Sequence, residues 1–172
     1  INKYIEKFSS PEQRFAVIKV GGSVIENDLE NLISSLVFLN QVGLKPVILH
    51  GAGPMLSAAL EEKKIDFSFI DGQRVTSLEV RDVACAVFNE TNKKIVDALE
   101  AQGAKAQGLI SNIFECTKAD PDLGYVGSIE SVDIKPVNEV LELDSIPVIA
   151  PVGFQGNEVL NINADTAAGF IA

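Results

Sequence analysis

The sequence predicts an α/β fold, a three-layer sandwich with a mainly parallel central sheet, and three observations carry that prediction. Phe15-Ala16-Val17-Ile18-Lys19-Val20 and Lys45-Pro46-Val47-Ile48-Leu49-His50 are nearly continuous apolar runs. A strand loses its polar alternation when both of its faces are covered, as in a parallel sheet. Between the two runs, Leu29, Leu32, Ile33, Leu36, Val37 and Leu39 repeat at helical spacing up to Gly43, which makes a right-handed β-α-β unit. Each run then ends in glycines, Gly21-Gly22 after the first and Gly51-Ala52-Gly53 after the second. Two such loops lie at the carboxyl edge of one sheet, where open α/β folds bind ligands.

Bulk properties narrow the function classes. A chain of 172 residues with 47% hydrophobic residues and no Trp buries an ordinary single-domain core. The net charge of −10 leaves no basic stripe for nucleic acid and disfavours an anionic membrane surface. No apolar run has the length of a membrane span and no signal peptide is visible, so a cytoplasmic protein is expected. The first residue is Ile1, which keeps open a removed targeting segment and hence a mitochondrial matrix location. Cys85 and Cys116 have no Cys or His companions at ligand spacing and read as small buried hydrophobes in a reducing compartment. With His50 as the single histidine, no metal site built by the protein is expected.

Taken in order, residues 1–13 read as a helical extension with Tyr4, Ile5 and Phe8 on one face, which an appendage buries best against another subunit. That predicts a homo-oligomer. In the first strand, Lys19 is costly unless it has a partner, and the glycines after it allow backbone N–H groups to approach an anion. The stretch reads either as a phosphate site or as a tight turn beside a lysine whose head reaches water. It matches neither a P-loop, whose lysine follows the glycines, nor the dinucleotide Gly-x-Gly-x-x-Gly pattern. Asn27 with Glu30 reads as a helix cap, and Pro54 suits the first turn of a helix from Met55 to about Lys64. His50 is either a general base or a hydrogen-bonded structural residue.

Ile70 to Thr76 is irregular, and Thr76-x-x-Glu79 forms a capping box for a long inward-facing helix that stops at Gly103. Arg74, just ahead of that helix, either forks onto a carboxylate or is a surface residue in a turn. Ala104 to Ile110 is expected as a strand, and residues 113–129, broken by Asp120-Pro121-Asp122 and Gly124, as a projecting β-hairpin. The hairpin covers a pocket or is a plain surface excursion. A helix over Pro136–Leu143, a strand over Ile146–Val152 and a turn at Gly156-Asn157 follow. Asn161, Asn163 and Asp165 then alternate, so that in an extended segment they share one face ahead of a helix opening at Thr166. They either hold a polar group and an ammonium together or form an Asx turn with Asp165 as N-cap.

Lys19-Val20-Gly21-Gly22, His50-Gly51-Ala52-Gly53-Pro54, Gly72-Gln73-Arg74-Val75-Thr76 and Asn161-Ile162-Asn163-Ala164-Asp165, in this order, resemble the amino acid kinase family. Within it they look most like the acetylglutamate kinases. The resemblance runs from Arg14 to Ala172 and implies the carbamate kinase-like fold, with residues 14–172 as the amino-terminal, acetylglutamate-binding lobe. It also implies ATP with Mg²⁺ as cofactor and N-acetyl-L-glutamate as phosphoryl acceptor in arginine biosynthesis. Lys19 would neutralise the phosphoryl group in transfer and Asp165 would orient that lysine. Gly21 and Gly22 would approach the ATP phosphates, with Asn163 close to them. Arg74 would clamp the α-carboxylate of the substrate, Asn161 would bind the same molecule, and Ala52 and Gly53 would bracket it with backbone N–H groups. Ala52 stands where many members have a third glycine. The attacking carboxylate, with a pKa of about 4.3, is already ionised and asks for no general base.

Arg14-Phe15-Ala16-Val17-Ile18 and Asn40-Gln41-Val42-Gly43-Leu44 are most similar to the arginine-regulated branch, which implies arginine as a regulator. The alternative within the resemblance is the arginine-sensing, non-transferring kinase-like domain of an N-acetylglutamate synthase or of a bifunctional synthase/kinase. The family also has a carboxyl-terminal lobe with most of the adenine site and a second phosphate-binding lysine. The chain by itself is therefore expected to show little or no kinase activity.

Overall fold

The computed structural model describes residues 15–172, and the expected helix over residues 1–13, with the oligomer read from it, lies outside the described residues. Four strands form an entirely parallel sheet in the spatial order β1 (Phe15–Val20), β2 (Lys45–His50), β8 (Ile146–Ile149) and β5 (Ala106–Leu109). The register places Lys19 beside Leu49 and Val20 beside His50, so the two glycine loops leave the same edge side by side.

Both faces of this sheet are covered, which accounts for the missing polar alternation. On one face Val20, Ile48, Ile146 and Val148 meet Ile25 of α1 (Gly22–Asn27), Ile33 and Leu36 of α2 (Leu29–Gln41), and Ile95 and Leu99 of α4 (Leu78–Ala101). On the other, Val47, Leu49 and Ile149 meet Val137 and Val140 of α5 (Lys135–Glu142) and Ala167 and Ile171 of α6 (Ala164–Ile171). A third cluster joins Leu56 and Leu60 of α3 (Gly53–Glu62) to Val80, Ala84 and Phe88 of α4. It ties the second glycine loop to the longest helix.

The expected hairpin is present as β6 (Phe114–Lys118) and β7 (Gly127–Val132), joined through a single 3-10 turn at Pro121–Leu123. It does not stand alone. β6 also pairs in parallel with β9 (Val152–Gln155), which pairs with β10 (Glu158–Asn161), and the four make a second sheet in the order β10-β9-β6-β7. Phe114, Cys116, Ile129 and Leu160 turn its inner face into the core. The hairpin is thus anchored, and β10 delivers Asn161 to the carboxyl edge of the parallel sheet.

Three helix N-caps differ from the expected ones, and α3 begins at Gly53, two residues before Met55. The chain becomes helical directly after Gly21, so Asn27 closes α1, with its amide on Ser23 O at 2.9 Å, and Asp28 becomes the N-cap of α2. Ser77 rather than Thr76 caps α4, accepting from Val80 N at 3.2 Å. Asn163 rather than Asp165 caps α6, accepting from Thr166 N at 2.9 Å. In the last two cases the displaced residue is released for contacts with other elements.

Candidate functional site

The site begins where β1 and β2 end. Gly51 N donates to Val20 O at 2.8 Å, which locks the two loops together as they leave the sheet. A Cβ added at Gly22 would lie 2.7 Å from Pro54 Cδ and 3.2 Å from Gly53 N, so the first loop is pressed against the second and only glycine fits. The amino termini of α1 and α3 therefore lie next to each other, with Gly21 and Ala52 as N-caps that make no side-chain cap bond. Their first-turn amides and the positive ends of both helix dipoles form an electropositive rim. Ala52 is buried and adds no polar group there.

Lys19, one residue before the end of β1, places its Nζ 2.9 Å from Asp165 Oδ1. Asp165 sits in the first turn of α6, free of capping duty because Asn163 performs it. The side chains are 34% and 73% exposed, and an ion pair this open to water contributes only about 0–1 kcal/mol. Its consequence is position rather than stability. The ammonium is held at the carboxyl edge, beside the glycine loops.

Arg74 is the most constrained charge. It lies on β4 (Gln73–Arg74), which pairs with β3 (Phe69–Ile70) through a turn whose Asp71 and Gly72 both have positive φ, 48° and 79°. Its guanidinium carbon stands 4.4 Å from the Phe67 ring centroid and 4.7 Å from that of Phe69. Nη2 donates to Ser57 Oγ at 2.7 Å and to Gly53 O at 3.4 Å, which links the arginine to the second glycine loop. Nη1 is buried without an acceptor. Burial lowers the Arg74 pKa from its ordinary value, and an unmet charged donor in such a place costs a few kcal/mol. An anion with a lone pair to give fits it.

Asn161 faces the same region. Its Nδ2 donates to Thr76 Oγ1 at 3.2 Å, and the Thr76 hydroxyl donates to Arg74 O at 2.9 Å. Arg74, Asn161, Gln73, Gly72, Val126 and Asn163 line one cleft of about 120 Å³. The Asn163 amide oxygen is spent on the α6 cap, so this residue offers the cleft its NH₂ group. The cleft thus joins the Arg74 and Asn161 segments, while Arg74 reaches Gly53 O and Asp165 reaches Lys19, so the four motif segments are neighbours in the fold.

His50 is fully buried, with Nε2 3.3 Å from Asn92 Nδ2, and the same amide donates to Val148 O at 2.8 Å. Burial pushes its pKa down to about 4. A neutral imidazole sealed under α4 is a structural residue, and the general-base alternative is set aside. Both cysteines are free thiols raised in pKa by burial, Cys116 within the core and Cys85 on α4. Among the described residues no three His, Cys, Asp or Glu side chains gather as a metal cage, and no helix is long and apolar enough to cross a membrane.

Four contributors escaped the sequence reading. Phe67 and Phe69 have a legible signal, an alternating aromatic pair five to seven residues ahead of Arg74. Ser57 has none, since a serine in a helix names no partner. Thr76 was read as a cap, and its hydroxyl proves to be a bridge between two elements.

Comparison with known proteins gives a consistent result. The model of the amino acid kinase family matches residues 14–172. The chain is 43% identical over 171 residues to an acetylglutamate kinase of Xanthomonas campestris pv. campestris, covering 98% of this chain and 40% of that protein. It is 39% identical over 175 residues to the mitochondrial protein arg11 of Schizosaccharomyces pombe, covering 100% of this chain and 20% of that one. The crystal structure of smu.665 from Streptococcus mutans superposes with a TM-score of 0.85 at 29% identity, over 92% of this chain and 67% of that one. The chain thus spans two fifths or less of the length of these two curated relatives.

Proposed function

The chain belongs to the amino acid kinase family, and on that premise we propose that it is the acetylglutamate-binding lobe of an ATP-dependent acetylglutamate kinase serving arginine biosynthesis. The reaction is displacement of ADP from the γ-phosphorus by the side-chain carboxylate of N-acetyl-L-glutamate, which yields an acyl phosphate. Such a transfer asks a protein for alignment and for positive charge around three equatorial oxygens. The observation that carries this reading is the Lys19–Asp165 contact of 2.9 Å at the edge where both glycine loops open.

Each residue then has a task. Lys19 meets the charge that develops on the phosphoryl oxygens, and Asp165 keeps its ammonium aimed. Gly21 and Gly22 let the start of α1 close on ATP phosphates, with the Asn163 NH₂ group near them. Arg74 offers Nη1 to the α-carboxylate of the acceptor, Asn161 binds the same molecule, and Ala52 and Gly53 present backbone N–H groups to it. Mg²⁺, when bound, neutralises the phosphate charge. It would arrive with the nucleotide, held largely by phosphate oxygens, as Mg²⁺ commonly is in phosphoryl-transfer sites. The acceptor carboxylate is already ionised and has no use for a general base, so the buried, neutral His50 has no step to perform.

The sensory alternative, a kinase-like domain that binds arginine without transferring phosphate, has no use for a lysine and aspartate paired at the loop edge. Retention of that pair favours transfer. The fission-yeast relative is named as mitochondrial, which supports a mitochondrial location as the alternative to a cytoplasmic one.

Calorimetry with N-acetyl-L-glutamate tests the assignment. The wild-type chain is expected to bind it. Arg74→Met, which keeps the stem and removes the charge, should weaken binding at least tenfold, the order expected for a hydrogen bond to a charged group at about 1.5–3 kcal/mol. Lys19→Met should stay within about threefold, since its partner is the phosphoryl group. No binding by the wild-type chain, or equal loss in both variants, overturns the reading.

A further inference from the structure

Thr76 is fully buried, and every polar atom it has is engaged. Its N donates to Leu123 O at 2.9 Å and its O accepts from Tyr125 N at 2.7 Å, so the turn between β6 and β7 is stitched to it on both sides. A Cβ at Gly124, where φ is +70°, would lie 2.5 Å from Thr76 O, so this close approach requires glycine. The neighbouring Tyr125 O in turn accepts from Asn161 N at 2.9 Å. Backbone and side chain of Asn161 are therefore both referred to the same threonine and the turn beside it.

The hydroxyl has one proton to give. It goes to Arg74 O at 2.9 Å, so the oxygen meets Asn161 at 3.2 Å with a lone pair, and the atom that faces it must be the Nδ2 donor. A hydroxyl turned the other way would satisfy an Asn161 oxygen and leave the Arg74 carbonyl without its bond. The direction of the threonine proton thus settles which way round the amide stands. Oδ1 is left as the arm with which Asn161, a cleft-lining residue, meets a ligand.

We propose that Thr76 is a positioning residue for specificity: it fixes the Asn161 amide with its acceptor oxygen toward the ligand, selecting carboxylates that bear an adjacent N–H, such as N-acylated amino acids. The proposal rests on the functional reading above and adds a discrimination that reading does not contain. Arg74 recognises the carboxylate, and the oriented amide recognises the acylamino hydrogen beside it. A dicarboxylate without nitrogen satisfies only the first.

The test compares N-acetyl-L-glutamate with glutarate, which has the same two carboxylates and no N–H. Thr76→Val, close in volume but without a hydroxyl, should lower affinity for N-acetyl-L-glutamate about tenfold and for glutarate less than about twofold, and Thr76→Ser should restore the difference. Proton NMR of the Asn161 side-chain amide provides a second measurement. In the ligand-free wild-type chain one Asn161 amide proton should exchange slowly with water, and it should lose that protection in Thr76→Val and regain it in Thr76→Ser. Equal loss for both ligands, a serine variant no better than valine, or an unprotected amide in the wild-type chain would overturn the proposal. If Thr76→Val does not fold, the wild-type and serine signals still decide it. A wild-type chain that ignores N-acetyl-L-glutamate but shows the protected amide defeats the functional reading and leaves the positioning role standing.

Discussion

His50 makes the stability of this protein depend on pH in a way that can be worked out. Its imidazole is fully buried at the end of β2, and its pKa falls from 6.5 to about 4 because burial penalises the charged form. Above pH 6.5 both folded and unfolded chains hold it neutral, and the full contribution is present. Between pH 6.5 and 4 the unfolded chain takes up a proton that the folded chain refuses, so stability falls as pH falls. One pKa unit is worth about 1.4 kcal/mol, so the loss from this residue reaches roughly 2 kcal/mol at pH 5 and roughly 3 kcal/mol near pH 4. His50→Gln, which removes the titration and keeps a polar side chain near Asn92, isolates the term from that of the carboxylates. Urea unfolding at pH 7 and pH 5 should show the wild-type chain losing about 2 kcal/mol more than the variant over that interval. Equal losses would mean that the imidazole can be protonated in place, and the sealed environment deduced for it would be wrong.

Two further outcomes follow from the same geometry. Gly22→Ala should destabilise the chain by about 1–3 kcal/mol in chemical unfolding, because its Cβ would meet Pro54 Cδ at 2.7 Å and backbone atoms of Ala52 and Gly53 behind it. Asp165→Asn should leave stability within about 1 kcal/mol, since its carboxylate is 73% exposed. In the same variant, phosphoryl transfer by a kinase carrying this lobe should fall steeply. A large change in melting temperature with unchanged transfer would reverse the roles given to that pair.

Much of the scaffold was legible because its signals are local. Val47 to Leu49 is apolar on both faces, as are Val17, Ile18 and Val20 around Lys19, and these residues pack into the clusters on the two sides of the sheet. The glycine loops, the turn at Gly156, and the long helix ending before Gly103 followed from residue types with few conformational options. Helix caps were less legible. Thr76 and Ser77 are adjacent hydroxyls, as Asn163 and Asp165 are nearby acceptors, and each can cap equally well in isolation. Which one does so depends on what else claims its neighbour, here Asn161 for Thr76 and Lys19 for Asp165.

From its residues alone this chain declared a parallel α/β scaffold, a lysine that needed company, and four short segments whose order and spacing match one family. Those are properties of local sterics and hydrophobic period, which each stretch carries with it. Only the folded chain decided that Arg74 is gripped between Phe67 and Phe69 with Nη1 unmet, that His50 is sealed under α4, and that one hydroxyl orients the Asn161 amide. Such contacts join residues up to 85 positions apart. Their partners are chosen by packing and by the requirement that buried donors find acceptors, a condition that exists only once the elements have closed on one another.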